Sequence, residues 1–139
     1  MPMKKLIQTL LLFFLFSLQV RAELAVIGNL NSPVTSLSKQ EVQDIFMGRT
    51  RSLPNGNFAL PLDFQELRAD FYTKLTARPI EQINAYWARI MFSGQGSPPM
   101  TLPDEQAVLK TVSENKGALA YVDSKRVNPK LVRVLLILE

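Results

Sequence analysis

Two short segments near the C-terminus place the strongest constraint on the fold. Ala118–Val122 and Val132–Leu138 are almost wholly apolar. A strand with one solvated face would alternate apolar and polar residues, so continuous apolar runs of this length indicate strands covered on both faces. Leu24–Ile27 and Ala59–Leu62 are two further predicted strands, and Pro61 places the second of them at a sheet edge or a strand end.

Helical patterns separate these strands. Ser38 and Glu41 form a capping-box pattern, and the four-residue spacing of Leu67, Phe71 and Leu75 predicts a helix. Helices are expected after Ser38, over about Gln65–Thr76, after Pro79 and after Pro103. Strands alternating with helices predict an α/β sandwich with an at least partly parallel sheet.

The N-terminus has the pattern of a secretory signal peptide. Lys4 and Lys5 precede an apolar run that is densest over Leu10–Leu18, and Ala22 offers a small residue for cleavage. The alternative is a membrane anchor, but the run is shorter than the roughly 20 apolar residues of a spanning helix. We therefore expect a signal peptide over 1–22, one domain over 23–139, and a periplasmic location without stable membrane insertion.

Removal of that segment changes the charge of the chain. Lys4, Lys5 and Arg21 are three of the 16 basic residues, so 13 remain against 12 acidic residues, a net charge of +1. The basic balance of the whole chain is therefore no evidence for nucleic-acid binding. We expect no nucleic-acid partner.

The chain contains no Cys and no His, which removes the usual nucleophiles, general bases and metal ligands. Asp63, Glu66 and Asp70 lie close in sequence, yet as catalytic carboxylates they have no His, Cys or metal-ligand partner. Helix capping is the simpler interpretation of Asp63 and Glu66. We expect no enzyme activity, no cofactor and no metal.

Other noticeable residues have ordinary structural interpretations. The Gly-x-Gly within Ser93–Ser97 follows a predicted helix instead of a strand, so it is a helix-terminating loop and not a nucleotide fingerprint. Arg49 and Arg51 are interpreted as solvated loop charges, although they could meet an anion. Trp87, with Tyr86 and Phe92, is interpreted as core packing on the long helix.

Three segments, taken together, resemble the phosphate-binding type of periplasmic solute-binding protein, whose two α/β lobes enclose a cleft. They are Leu37–Gly48, Trp87–Gly94 and Lys116–Val122, the last similar to that family's "pGAIGYv" stretch. Their order and spacing cover nearly all of the chain after the predicted signal. The resemblance implies an α/β fold, a single-lobe three-layer sandwich with a mixed, partly parallel sheet, similar to one lobe, the second, of a type II periplasmic binding protein.

One segment departs from that family. The family's phosphate loop resembles Arg-x-Asp-Gly-Ser-Gly-Thr, and anchoring on Phe71 places it at Pro61–Leu67, where only Asp63 matches. The Arg and both hydroxyls are replaced, and Glu66 takes the place of a Gly. Two like charges ~4 Å apart repel by about 1 kcal/mol in water, with Arg68 expected to compensate in part. Our hypothesis is that the chain does not bind phosphate in the family's manner.

The sequence thus predicts a secreted periplasmic binding module. Its partner would be an envelope protein, such as a sensor or transporter, a second copy, or a small solute. The alternative is a genuine transport component that binds phosphate or another small anion. The expected ligand-binding residues are Asp63, Gln65, Arg68, Ser93 and Gly94.

Overall fold

The computed structural model describes residues 22–139. All of the predicted signal peptide except Ala22 lies outside that range. The elements are β1 (Leu24–Asn29), α1 (Lys39–Phe46), β2 (Leu60–Phe64), α2 (Arg68–Thr76), α3 (Ile80–Phe92), β3 (Met100–Leu102), α4 (Glu105–Glu114), β4 (Ala118–Asp123) and β5 (Val132–Leu138). Short 3₁₀ turns cover Gln65–Leu67 and Ser124–Arg126. Within this range, no helix combines the length and the apolar character needed to cross a membrane.

The strands form one mixed sheet in the order β3-β2-β4-β1-β5. β2 runs parallel to β3 and β4, whereas β1 runs antiparallel to β4 and β5. All six residues of β1 and the first five of β4 are buried. Because neighbouring residues of a strand point to opposite faces, both faces of the central sheet are covered. The predicted α/β fold with a partly parallel sheet is confirmed.

The predicted helix starts are also confirmed. At α1 the Glu41 amide donates to Ser38 Oγ at 3.1 Å, and the Ser38 amide donates to Glu41 Oε1 at 2.9 Å. Asp104 is the N-cap of α4, and its Oδ1 accepts from the Ala107 amide at 2.8 Å. Each side chain satisfies amides that have no partner within the helix, so local sequence alone determines these two helix starts.

The structure corrects three expectations. β5 is an edge strand in which Val134 is 37% exposed and Ile137 is 42% exposed, so the expectation that Val132–Leu138 is covered on both faces was wrong. β3 was not predicted, because its three residues are exposed or half-buried and carry no apolar pattern. Phe92 is 96% exposed, so its assignment to the core was wrong. Trp87 is only 4% exposed, so its assignment to the core is confirmed. Phe92 is the last residue of α3, where the helix ends in an exposed loop. β2 lies inside the sheet, and Pro61 stands near its start, which agrees with the strand-end interpretation.

Each segment that carries the family resemblance makes close contacts within the fold. Gly48 has φ +73°, and a Cβ on it would lie 2.8 Å from Trp87 Cη2. Beside it, Tyr86 Oη donates to the Met47 carbonyl at 2.7 Å. A Cβ on Gly117 would overlap the Phe58 carbonyl oxygen just before β2. The resemblance therefore rests on residues that build the fold.

Gly117→Ala is expected to lower the free energy of unfolding by about 1–3 kcal/mol, since backbone must move to admit the methyl group. Gly96→Ala is the matched control, because the new Cβ would lie 3.5 Å from its nearest neighbour, Ile90 Cγ2, which is an ordinary van der Waals distance. Urea unfolding of both variants makes the comparison. Equal stability of the two would contradict the close approach at Gly117.

Candidate functional site

Asp63 is the buried acidic residue at the carboxyl end of β2. It is 1% exposed and pairs in register with Thr101 of β3. Open α/β sheets commonly bind ligands outside the carboxyl ends of their parallel strands. A buried carboxylate at this position must find hydrogen-bond donors, either from a ligand or from the protein itself.

The protein supplies those donors. Tyr72 Oη of α2 donates to Asp63 Oδ1 at 2.9 Å, and Tyr121 Oη of β4 donates to the same oxygen at 3.0 Å. Arg68 Nε donates to Oδ2 at 3.3 Å, and Tyr72 Oη also lies 3.2 Å from Oδ2. Both oxygens are therefore engaged, and the carboxylate ties together β2, α2 and β4. We call Asp63, Tyr72, Tyr121 and Arg68 the Asp63 cluster.

Arg68 connects this cluster to the surface. Its side chain is 20% exposed, and its Nη1 donates to Asn84 Oδ1 on α3 at 2.8 Å. The guanidinium carbon also lies 5.4 Å from the centre of the Tyr72 ring, within reach of a cation–π contact. The Arg68 side chain thus holds α2 against α3 and covers the outer side of the carboxylate.

Aromatic rings cover the inner side. Phe71 stacks on Tyr121 with ring centres 3.6 Å apart and planes 9° apart. Phe46 meets Phe71 edge to face at 4.8 Å. These rings keep water from Asp63 and fix the two phenols in place.

The burial has electrostatic consequences. Burial raises the pKa of Asp63 above its ordinary value, while the Tyr72 and Tyr121 hydrogen bonds and Arg68 act in the opposite direction. Burial, followed by the charge of Asp63, also raises the pKa of both tyrosines. Both phenols consequently remain protonated donors.

The exposed 3₁₀ turn after Asp63 carries two of the residues discussed above. Gln65 and Glu66 are both exposed there. Arg68 was expected to compensate Glu66, but it pairs with Asp63 instead. The 3₁₀ turn over Gln65–Leu67 and α2 both begin without a side-chain cap, so the capping interpretation of Asp63 was wrong. Glu66 does lie in the first turn of that 3₁₀ helix, as expected.

Ser93 and Gly94 end α3. Ser93 Oγ donates to the Ile90 carbonyl at 3.0 Å, and the Gly94 amide donates to the Met91 carbonyl at 3.1 Å with φ +73°. This confirms the helix-terminating interpretation of the loop. Asp63 and Arg68 are in contact, whereas neither Ser93 nor Gly94 shares a hydrogen bond with them. A ligand-binding role for these residues remains a prediction.

Sequence reasoning missed the partners of Asp63. The chain has three tyrosines, and two of them, Tyr72 and Tyr121, converge on one carboxylate from 9 and 58 residues away. An aspartate at the end of an apolar strand was the signal that such donors were needed. Among residues 22–139, no group of three or more acidic side chains is placed to hold a metal.

With this geometry known, comparison with other proteins identifies the scaffold. No protein-family model matches the sequence, and no curated protein does. Among solved structures, an ABC-type phosphate transport receptor from Vibrio cholerae matches with a TM-score of 0.63 and 15% identity, over 82% of this chain and 46% of that one.

Two further structures show the same relationship. A phosphate ABC transporter substrate-binding protein from Clostridium perfringens, with bound phosphate, matches with a TM-score of 0.63 and 15% identity, over 82% of this chain and 45% of that one. A possible phosphate binding protein from Planctomyces limnophilus matches with a TM-score of 0.57 and 14% identity, over 82% and 41%. The chain thus spans less than half of each, which corresponds to one lobe, and these neighbours are binding proteins, not enzymes. At this identity the likeness is one of fold.

Tyr121→Phe tests whether the Asp63 cluster holds a charged carboxylate. The variant should lose about 1–2 kcal/mol of stability at pH 7. The loss should shrink toward pH 4, because the phenol stabilises the ionised form and a protonated Asp63 needs it less. Burial raises the pKa of Asp63 above 3.8 in the folded protein. The stability loss therefore begins to shrink at a pH above 3.8.

Tyr86→Phe is the matched control, since its hydroxyl donates to the Met47 carbonyl, which does not titrate. Urea unfolding at both pH values measures the effect. If the loss in Tyr121→Phe were as independent of pH as that in Tyr86→Phe, Asp63 would not be the group that the phenol serves.

Proposed function

We propose that the chain is a secreted periplasmic binding module, built on one lobe of the solute-binding fold, that binds a partner protein and does not capture phosphate alone. The observation that carries this is the Asp63 cluster. The residue that matches the family's phosphate loop has both oxygens engaged by Tyr72, Tyr121 and Arg68. It has no capacity left to organise an anion site.

The neighbouring residues support the same conclusion. An anion site at a helix start uses free amides, hydroxyls and a guanidinium. Here Pro61 and Leu67 carry no polar side-chain group, and the exposed Glu66 adds a negative charge. Arg68 offers the nearest guanidinium, but it is shared between Asp63 and Asn84.

The match to one lobe supports the proposal of a partner. Solute-binding sites gain affinity by closing two walls on the ligand, and this chain matches about one lobe of its structural neighbours. The second wall would come from another copy or from an envelope protein such as a sensor or transporter. The surface to be covered is the carboxyl edge of β2, where Gln65 and Glu66 are exposed.

Isothermal titration of the purified protein with inorganic phosphate should give no saturable heat at micromolar concentrations. The reason is that Asp63 is engaged within the cluster and that Arg68 is already shared between Asp63 and Asn84. Micromolar binding that is weakened by Gln65→Ala, a change at an exposed position that leaves the fold intact, would contradict the proposal. It would favour the alternative, a transport component for phosphate.

The partner is tested by cross-linking in the envelope. Because the sequence has no cysteine, a single Gln65→Cys reports on the carboxyl edge and Asn55→Cys on an exposed turn before β2. We expect a specific thiol cross-link from position 65 and none from position 55. A protein that is monomeric by light scattering and yields no cross-link from either position would count against a partner.

A further inference from the structure

A groove lies at the other end of β2, where β2 and β3 begin. We call it the amino-edge groove. It has a volume of about 520 Å³, and its lining includes Phe58, Ile90 and Met100, with Trp87 and Arg51. This volume falls in the range of small-molecule sites. The groove does not include any member of the Asp63 cluster.

Exposed apolar side chains form much of the groove wall. Phe58 is 68% exposed and Met100 is 55% exposed, and both face this one groove. Ile90 lines it from α3. Large apolar side chains grouped around a concave surface are the usual lining of a site for an apolar ligand.

The charge of the groove is of one sign. Apart from Tyr86, Arg51 is the only ionisable residue among the described residues that line the groove. No carboxylate within residues 22–139 lies within ion-pair distance of Arg51, whereas the neighbouring Arg49 pairs with Asp44 at 3.3 Å. A lone exposed guanidinium beside an apolar surface complements a ligand with one negative charge.

Trp87 supplies a second observation. It is 4% exposed, and its Nε1 is a buried donor that has no acceptor within the described part of the chain. Unsatisfied buried donors are rare in native structures and mark positions at which a further group is expected. This donor belongs to a residue that lines the groove.

We propose that the amino-edge groove binds a small amphiphilic carboxylate. Its apolar body lies against Phe58, Ile90 and Met100, and its carboxylate pairs with Arg51. This site is independent of the proposed function, because it occupies the opposite end of β2 from the Asp63 cluster.

Trp87 is the only tryptophan of the sequence, so its fluorescence reports on the groove. Titration with decanoate should change the emission saturably. Acetate, which has the charge without the apolar body, and decyltrimethylammonium, which has the body with the opposite charge, should produce no saturable change in the same range. Phosphate is a separate probe of the carboxyl edge, so this result does not depend on the phosphate experiment.

Matched variants locate the site. Arg51→Gln should weaken decanoate binding about fivefold, as expected for a partly exposed ion pair, and Arg78→Gln, a change at an exposed position outside the groove, should not. Phe58→Ser should weaken it about tenfold through lost apolar contact. Phe92→Ser removes an even more exposed ring, 96% against 68% for Phe58, that lies outside the lining, and it should leave binding unchanged.

Three results would overturn the proposal. The first is an emission that decanoate leaves unchanged. The second is an equal response to decyltrimethylammonium, which would mean general apolar adsorption. The third is a dimer that Phe58→Ser dissociates while decanoate fails to compete with it, which would make the groove a contact between copies of this chain.

Discussion

The structure depends on one buried carboxylate and the three side chains that satisfy it. Asp63 ends the apolar strand β2, and leaving its charge unpaired there would cost several kcal/mol. Tyr72 from α2, Tyr121 from β4 and Arg68 at the start of α2 meet this requirement. The cluster fastens a helix and two strands at the edge of the sheet where α/β proteins usually bind ligands. At that edge, the protein's own side chains therefore engage the buried carboxylate.

This arrangement explains how the chain has the fold of phosphate-binding proteins without their loop. The segments that suggested the resemblance contribute packing contacts, such as Gly48 on Trp87 and Gly117 on the Phe58 carbonyl. Asp63, the one residue that matches the family's phosphate loop, likewise makes contacts within the fold. A fold does not determine a function, which depends on the chemistry of the site. Here that chemistry is an internal hydrogen-bond network.

Much of the architecture was predictable because it is encoded locally. The capping box of Ser38 and Glu41 involves neighbouring residues, and the continuous apolar run of β4 reports burial on both faces. β3 could not be predicted because its three exposed or half-buried residues carry no periodic pattern. They form a strand by pairing with β2, which lies far away in the sequence. The exposure of Phe92 could not be predicted because periodicity does not show where a helix passes beyond the core. The site was less predictable still, since Asp63 and Tyr121 are 58 residues apart and only the tertiary fold brings them together.

The most direct test of this account follows the ¹³C chemical shift of the Asp63 carboxyl carbon as inorganic phosphate is added at neutral pH. A carboxylate already engaged by two phenols and Arg68 should show no change up to millimolar phosphate, and Tyr121→Phe should shift the same resonance without any ligand. A saturable, phosphate-dependent shift at Asp63 in the unaltered protein would contradict the claim that its oxygens serve only the fold.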